Sequence, residues 1–358
     1  MSKCRSLVAA LVVAGLAVTA FPRLALARDK FTLAVSIYVG WMPWYYAKDS
    51  GILKKWAERY KIAIDVVEMD YIPSVEAYVA GKVDAAVMTN MEALAMPAKA
   101  GADTSVLIVG DYSNGNDALL VRGISDVKGL KGTEVSLVEL SVSHYLLVRA
   151  LEMHGMKESD LKVVNTSDSD IAPAFIANKN QKAVVTWNPM VMHIEQAPGV
   201  SRIFDSSRIP GEILDLLVVN TKVLNDEPRF AEALVGAWYE VMSVMAQRGP
   251  EADKVMTAMA QRSNASLNEY KAQLRTTAMF WTPEAASDYT RGTEIKEKMD
   301  FVRNFCFKYG LLGENARSAD VVGISYPDGT IQGDSRNVKL RFDTRFMDKA
   351  KTGQLRQN

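Results

Sequence analysis

The residues with the most chemistry in them gather where short apolar runs end. One group is Trp41, Trp44 and Tyr45, in the stretch Tyr38-Val39-Gly40-Trp41-Met42-Pro43-Trp44-Tyr45-Tyr46. Another is Asn90 and Glu92, and a third is Asp111 and Asp117 at the two ends of Asp111-Tyr112-Ser113-Asn114-Gly115-Asn116-Asp117. Further along come Glu139, Ser141 and His144, and then Trp187 with Asn188. Indole faces, carboxylates and amides converging on one gap could replace the water around a small polar molecule by stacking and hydrogen bonding. Each also has a plainer use: Tyr46 suits a helix core, Ser141 a helix cap, and the acidic loop a solvated turn.

Constellations that break bonds are missing from the sequence. The three histidines, His144, His154 and His193, show no His-x-x-x-His spacing, and Cys4 and Cys306 are far apart. There is no Gly-x-Ser-x-Gly elbow and no phosphate-binding Gly-x-x-x-x-Gly-Lys loop. The expectation is therefore no catalytic residue, no metal site and no cofactor. His154 beside Gly155 reads as a solvated or capping residue, whereas His144 lies in the first turn of a helix and is the histidine placed to matter.

The elements that must position these residues alternate. Phe31, Leu33, Val35 and Ile37 mark one face of a first strand, followed by a helix with Pro43 in its first turn. Strands at 62–69, 84–88 and 105–110 alternate with helices at 74–80 and 91–100, a pattern of parallel strands joined by helical crossovers. A second set begins at 133–138, continues with a helix from Ser141 to His154, and repeats through 161–165, 171–178 and 182–187. The short apolar runs 118–122 and 214–220 read as two antiparallel connections between lobes. Long helical patterns follow at 227–247, 251–262, 266–276 and 283–309, all expected to pack on the first lobe. The tail from Asp320 holds the turn Tyr326-Pro327-Asp328-Gly329-Thr330 and no functional signal. The expected fold class is α/β in two lobes: 28–117 with 216–358, and 118–215.

The start of the chain sets the expected compartment. Lys3 and Arg5, the apolar run Leu7 to Ala20 and the small residues Ala25-Leu26-Ala27 read as a cleaved signal peptide over residues 1–27. The run is shorter than the roughly 20 residues of a membrane span. The whole chain has 42 basic and 42 acidic residues, and the leader removes Lys3, Arg5 and Arg23 but no acid. The slightly acidic remainder argues against nucleic acid and anionic membranes as partners. Cys306, between Phe305 and Phe307, reads as a buried thiol.

The order of the motifs resembles a known family. Gly40-Trp41-Met42-Pro43-Trp44 with Ala47 and Gly51-Ile52, then Ala80-Gly81-Lys82-Val83-Asp84-Ala85-Ala86, Asp126 to Gly132, and Ala183 to Pro189 resemble periplasmic substrate-binding proteins of the nitrate, sulfonate and taurine type of ABC importer. The likeness spans nearly the whole exported chain. It implies the type II periplasmic binding fold, each lobe a mostly parallel sheet flanked by helices, with two hinge strands. It also implies a periplasmic monomer that binds a small solute between its lobes and delivers it to an ABC permease with its ATPase subunits. More narrowly, the chain resembles binding subunits encoded beside urea carboxylase, whose implied cargo is guanidine or urea.

Residue chemistry bears on that narrower step. An anion leaving water needs donors such as Arg, Lys or backbone N–H groups. The strand-end loops instead carry Glu92, Asp111, Asp117 and Glu139 among aromatics, without arginine, which favours a cation or a donor-rich ligand. The alternatives are taurine, an alkanesulfonate or nitrate in the same role, a sensory module, and an enzyme resembling thiamine-pyrimidine synthases. Those synthases carry a cysteine-rich motif that this sequence lacks.

Overall fold

The computed structural model describes residues 28–356, so the leader expected over 1–27 lies outside the described residues. The described chain builds two sheets. The first joins β1 (Lys30–Val35), β2 (Ala63–Glu68), β3 (Ala85–Thr89) and β4 (Thr104–Ser113). The chain then enters a second sheet made of β5 (Ala118–Arg122), β6 (Glu134–Leu137), β7 (Lys162–Asn165), β8 (Ala183–Thr186) and β9 (Val200–Asp205). It returns to the first sheet with β10 (Leu214–Asn220), β11 (Thr277–Met279), β12 (Gly323–Ser325), β13 (Ile331–Gln332) and β14 (Val338–Phe342).

The strand order is β13-β12-β14-β4-β10-β3-β1-β2 in the first sheet, with β11 on β4, and β7-β6-β8-β5-β9 in the second. β1 runs parallel to β2 and β3, and β6 runs parallel to β7 and β8. β10 is antiparallel to both its neighbours, β3 and β4, and β5 to both of its own, β8 and β9, so each is an interior strand; β11 and β13 also pair antiparallel. The runs Ala118–Arg122 and Leu214–Asn220 are therefore central strands rather than free connectors. Their nearly continuous burial reflects helices covering both faces. The crossings between lobes fall in 114–117 and 206–213, and Leu214 and Asp215 belong to the first sheet.

Two helical readings change. The segment expected as a helix over 91–100 is a short α-turn, Asn90–Ala93, running into a π-turn, Leu94–Ala98, that contains Pro97; proline cannot donate the hydrogen bond a regular helix needs there. The pattern over 283–309 is two helices, Pro283–Arg291 and Glu294–Lys308, separated at Gly292. The second of these also reaches the other lobe: Phe305 packs edge-on against Tyr145, and Lys308 pairs with Glu152. Cys306 and Phe305 are buried in it, but Phe307 is exposed. The tail adds β12 to β14 to the first sheet. Among the described residues no helix is long and apolar enough to cross a membrane.

Candidate functional site

The site grows from one row of residues across the middle of the first sheet. β10 lies between β3 and β4, and its register sets Asp215 opposite Thr89 on one side and Asp111 on the other. Residues directly opposed on neighbouring strands share a face. The register slips between Asp215 and Leu216, where Gly110 is the extra residue on β4. Such a bulge re-aims the side chain beside it, here Asp111. The row stands at the carboxyl ends of β3 and β4, where open α/β sheets bind ligands.

Four rings wall off this end of the sheet. Tyr38 meets Trp41 edge-on at 4.9 Å, Trp41 meets Tyr71 at 5.6 Å, and Tyr71 meets Trp187 at 5.7 Å between ring centres. Three of the rings come from the first lobe and Trp187 from the second, whose indole N–H donates to the Ile37 carbonyl at 3.1 Å. The cavity between them, closed further by Val142 and Ile213, has a volume of about 10 Å³. That is close to the minimum for one water.

Asp117 and Asp215 line the cavity, and no Lys, Arg or His does. Asp111 stands one contact behind, accepting from the Tyr38 hydroxyl at 2.8 Å through Oδ1, while its Oδ2 is buried with no hydrogen-bond partner. Glu92 accepts from the Val142 N–H at 2.8 Å and from the Thr89 hydroxyl. All four acids are buried, and none is ion-paired to a described basic residue. Burial pushes the Asp117 carboxyl up to about 7, with the charges of Glu92 and Asp111 adding to the shift. Burial also raises Asp111 and Asp215, and the charge on Asp111 raises Asp215 further. Glu92 is raised by burial against the pull of its Thr89 and Val142 donors. The pocket is thus apolar in its walls, acidic in its groups, and lined by no basic side chain.

The crossings between lobes are tied to the same acids. Ser113 Oγ donates to Asp117, lies 2.7 Å from Ser206 Oγ, and accepts the Asp117 N–H at 3.2 Å. Ser206 Oγ in turn accepts from the Gly115 N–H at 2.8 Å. Gly40 sits against the row: a Cβ there would lie 2.4 Å from Tyr38 Cε1 and 2.6 Å from Asp111 Oδ2. Gly40→Ala should therefore push Tyr38 off Asp111 and cost about 1–3 kcal/mol of stability. Urea unfolding of the variant checks this, and an unchanged midpoint would refute the close approach.

Of the residues expected from sequence, the structure gathers Trp41, Trp187, Glu92, Asp111 and Asp117 around this cavity. It places others elsewhere. Trp44 faces the core and packs against Trp238 at 5.0 Å. Tyr45 donates to the Val35 carbonyl and lies under Arg262. Asn90 bridges backbone, accepting from Leu214 N–H and donating to the Glu212 carbonyl. Asn188 accepts from the Met192 N–H and donates to Thr276. Ser141 caps the helix Val142–Met153. His144 accepts from the Leu140 N–H, faces Glu158 at 3.1 Å and packs on Tyr309. Glu139 is exposed. The common reason is geometric: a strand-end loop carries several polar groups, and helix starts and turns consume most of them. Asp215, Tyr38, Tyr71 and Thr89 also line the cavity and were not among the residues expected from sequence. Tyr71 opens a helix and Asp215 is the second residue of β10, and nothing local distinguishes them.

Comparison with solved structures settles the architecture. The alkanesulfonate-binding protein SsuA from Xanthomonas axonopodis pv. citri, bound to MOPS, superposes with a TM-score of 0.67 at 16% identity, covering 82% of this chain and 98% of that one. The fold is that of a type II periplasmic binding protein. The periplasmic aliphatic sulphonate binding protein SsuA from Escherichia coli gives a TM-score of 0.64 at 18% identity over 81% and 95% of the two chains. The periplasmic nitrate-binding protein NrtA from Synechocystis PCC 6803 gives 0.57 at 11% identity over 90% and 98%. A family model described as NMT1/THI5 like matches residues 118–252. No curated protein matches the sequence. In this binding-protein fold the cavity lies between the lobes, and Trp187 and Val142 close it from the second lobe.

Proposed function

We propose that the protein is the extracytoplasmic solute-binding subunit of an ABC importer, not an enzyme, and that it captures a small nitrogen-rich cation of the guanidinium type. The observation that carries this reading is the cavity itself: two buried acids, Asp117 and Asp215, four aromatic rings and no basic side chain line it, with the buried Asp111 and Glu92 behind them. A buried carboxylate cluster is costly unless it meets positive charge. A planar guanidinium offers N–H groups to Asp215 and Asp117, and a face to the indoles worth about 0.5–2 kcal/mol each. Among the described residues no group of three or more acids, histidines or cysteines has the geometry to hold a metal ion, which favours an organic cation. The space as it stands holds about one water, so even a ligand of a few heavy atoms enters only as the lobes part.

Such a ligand has limited binding energy. Four heavy atoms at about −1.5 kcal/mol each give roughly −6 kcal/mol, a Kd of tens of micromolar. Contacts to both lobes would favour the closed form, which is the form an importer's membrane subunits can recognise. The likeness to sulfonate- and nitrate-binding proteins favours a second reading, an anionic cargo on the same fold. Thermal-shift titrations with guanidinium, urea, taurine and nitrate decide between them. Guanidinium alone is expected to raise the midpoint at low millimolar concentration, and stabilisation by taurine or nitrate instead would end the cation reading.

A further inference from the structure

The helix Val142–Met153 begins at the cleft, and its first residues show an unusual arrangement. A helix start offers unpaired N–H groups and the positive end of the helix dipole, which together suit an anion. Here Ser141 Oγ accepts the Ser143 N–H at 3.1 Å, leaving the Val142 N–H to find a partner. That partner comes from the other lobe: Glu92 Oε1 accepts it at 2.8 Å, while Oε2 is held by the Thr89 hydroxyl. Glu92 is completely buried, so its carboxylate has exchanged water for these donors. Ser143 Oγ, at the same helix start, is buried with no hydrogen-bond partner. The helix start therefore holds more donor capacity than its own lobe uses, and the first lobe supplies an anion for it.

We infer that Glu92 is the specificity-determining residue of the cleft: its carboxylate takes the anion position at the start of the Val142–Met153 helix when the lobes meet. The chain carries its own anion into the cleft, so a solute anion finds that position filled and meets a further negative group. The same contact ties the lobes together across the cleft, alongside the Trp187 bond to Ile37. This inference rests on the reading of the cleft as a cation site, and it explains how a fold shared with sulfonate- and nitrate-binding proteins would reject those solutes.

The test uses the exported protein and two variants, titrated with sodium nitrate, sodium methanesulfonate and guanidinium chloride and followed by thermal shift and calorimetry. Wild type is expected to show no saturable response to either anion. Glu92→Ala, which frees the Val142 N–H and vacates the space beside it, is expected to bind at least one of them saturably, with at least a tenfold gain over wild type. Glu92→Gln keeps the shape and an acceptor but removes the charge. It is expected to go on rejecting anions while shifting ligand-free solution scattering toward a larger radius of gyration, as the lobes part more readily. A folded Glu92→Ala that rejects both anions, or a wild type that binds them, overturns the assignment. If Glu92→Ala does not fold, unchanged scattering of Glu92→Gln overturns it. The guanidinium titration of wild type is read separately: its failure removes the cation reading, while anion uptake by Glu92→Ala would still establish what Glu92 excludes.

Discussion

Asp215→Asn should sharply weaken guanidinium binding and, at the same time, make the ligand-free protein more stable at neutral pH. Asp215 is the acid that lines the cavity from the centre of the first sheet, flanked by Thr89 and Asp111 on the neighbouring strands. Removing one partner of a buried, hydrogen-bonded charge pair costs about 2–5 kcal/mol, which is a rise in Kd of about thirtyfold to several thousandfold. The opposite sign for stability follows from what surrounds the carboxylate when no ligand is there. Burial and the charge on Asp111 both penalise its ionised form, and an amide of the same shape escapes both penalties. Calorimetric titration gives the first effect and the thermal midpoint at about pH 8 gives the second. A variant that binds guanidinium like wild type would place the recognition elsewhere.

Affinity should also rise with pH. Asp117 is pushed up to about 7, chiefly by burial, so below that pH a cation entering the cavity must displace its proton. Each proton displaced lowers the apparent affinity about tenfold per pH unit on the acid side. Asp215, raised further by burial and by Asp111, extends the dependence upward. Calorimetry from about pH 5.5 to about 8.5, repeated in buffers of different ionisation enthalpy, reads both the slope and the protons released. A Kd independent of pH, with no proton released, would mean the acids do not meet the ligand.

The same group has a linked effect on folding with a definite sign. The unfolded Asp117 carboxyl titrates near its ordinary value of about 3.9 and the folded one near 7, so between those values the folded state holds more protons. Stability contributed by this group is present below about pH 4 and falls by about 4 kcal/mol as pH rises to about 7, after which it is flat. Saturating guanidinium should restore most of that loss, which makes the ligand-induced thermal shift largest at alkaline pH.

The overall scheme was legible because it is written in local patterns. Alternation in Phe31, Leu33 and Val35, buried runs such as Ala85–Thr89, and the glycines and prolines between elements announce strands and helical crossovers without reference to distant residues. The row of acids was half legible. Asp111 and Asp117 lie in a polar loop that invites attention, whereas Asp215 sits at the start of a run that reads as an ordinary apolar strand. Its partner lies about a hundred residues away and becomes a neighbour only through the insertion of β10 between β3 and β4.

By itself the sequence determined the α/β alternation, the two sets of strands, the want of catalytic motifs, and the presence of indoles and carboxylates at strand ends. All of these depend on which residue stands beside which along the chain. Only the tertiary structure decided which of those groups meet. It set Asp215 against Asp111 through strand register and a bulge at Gly110, turned Trp44 into the core and Trp41 toward the cavity, and brought Glu92 of one lobe to the first N–H of a helix in the other. Register, bulges and lobe contacts are set by the packing of whole sheets, and a side chain's own neighbours in sequence carry no record of them.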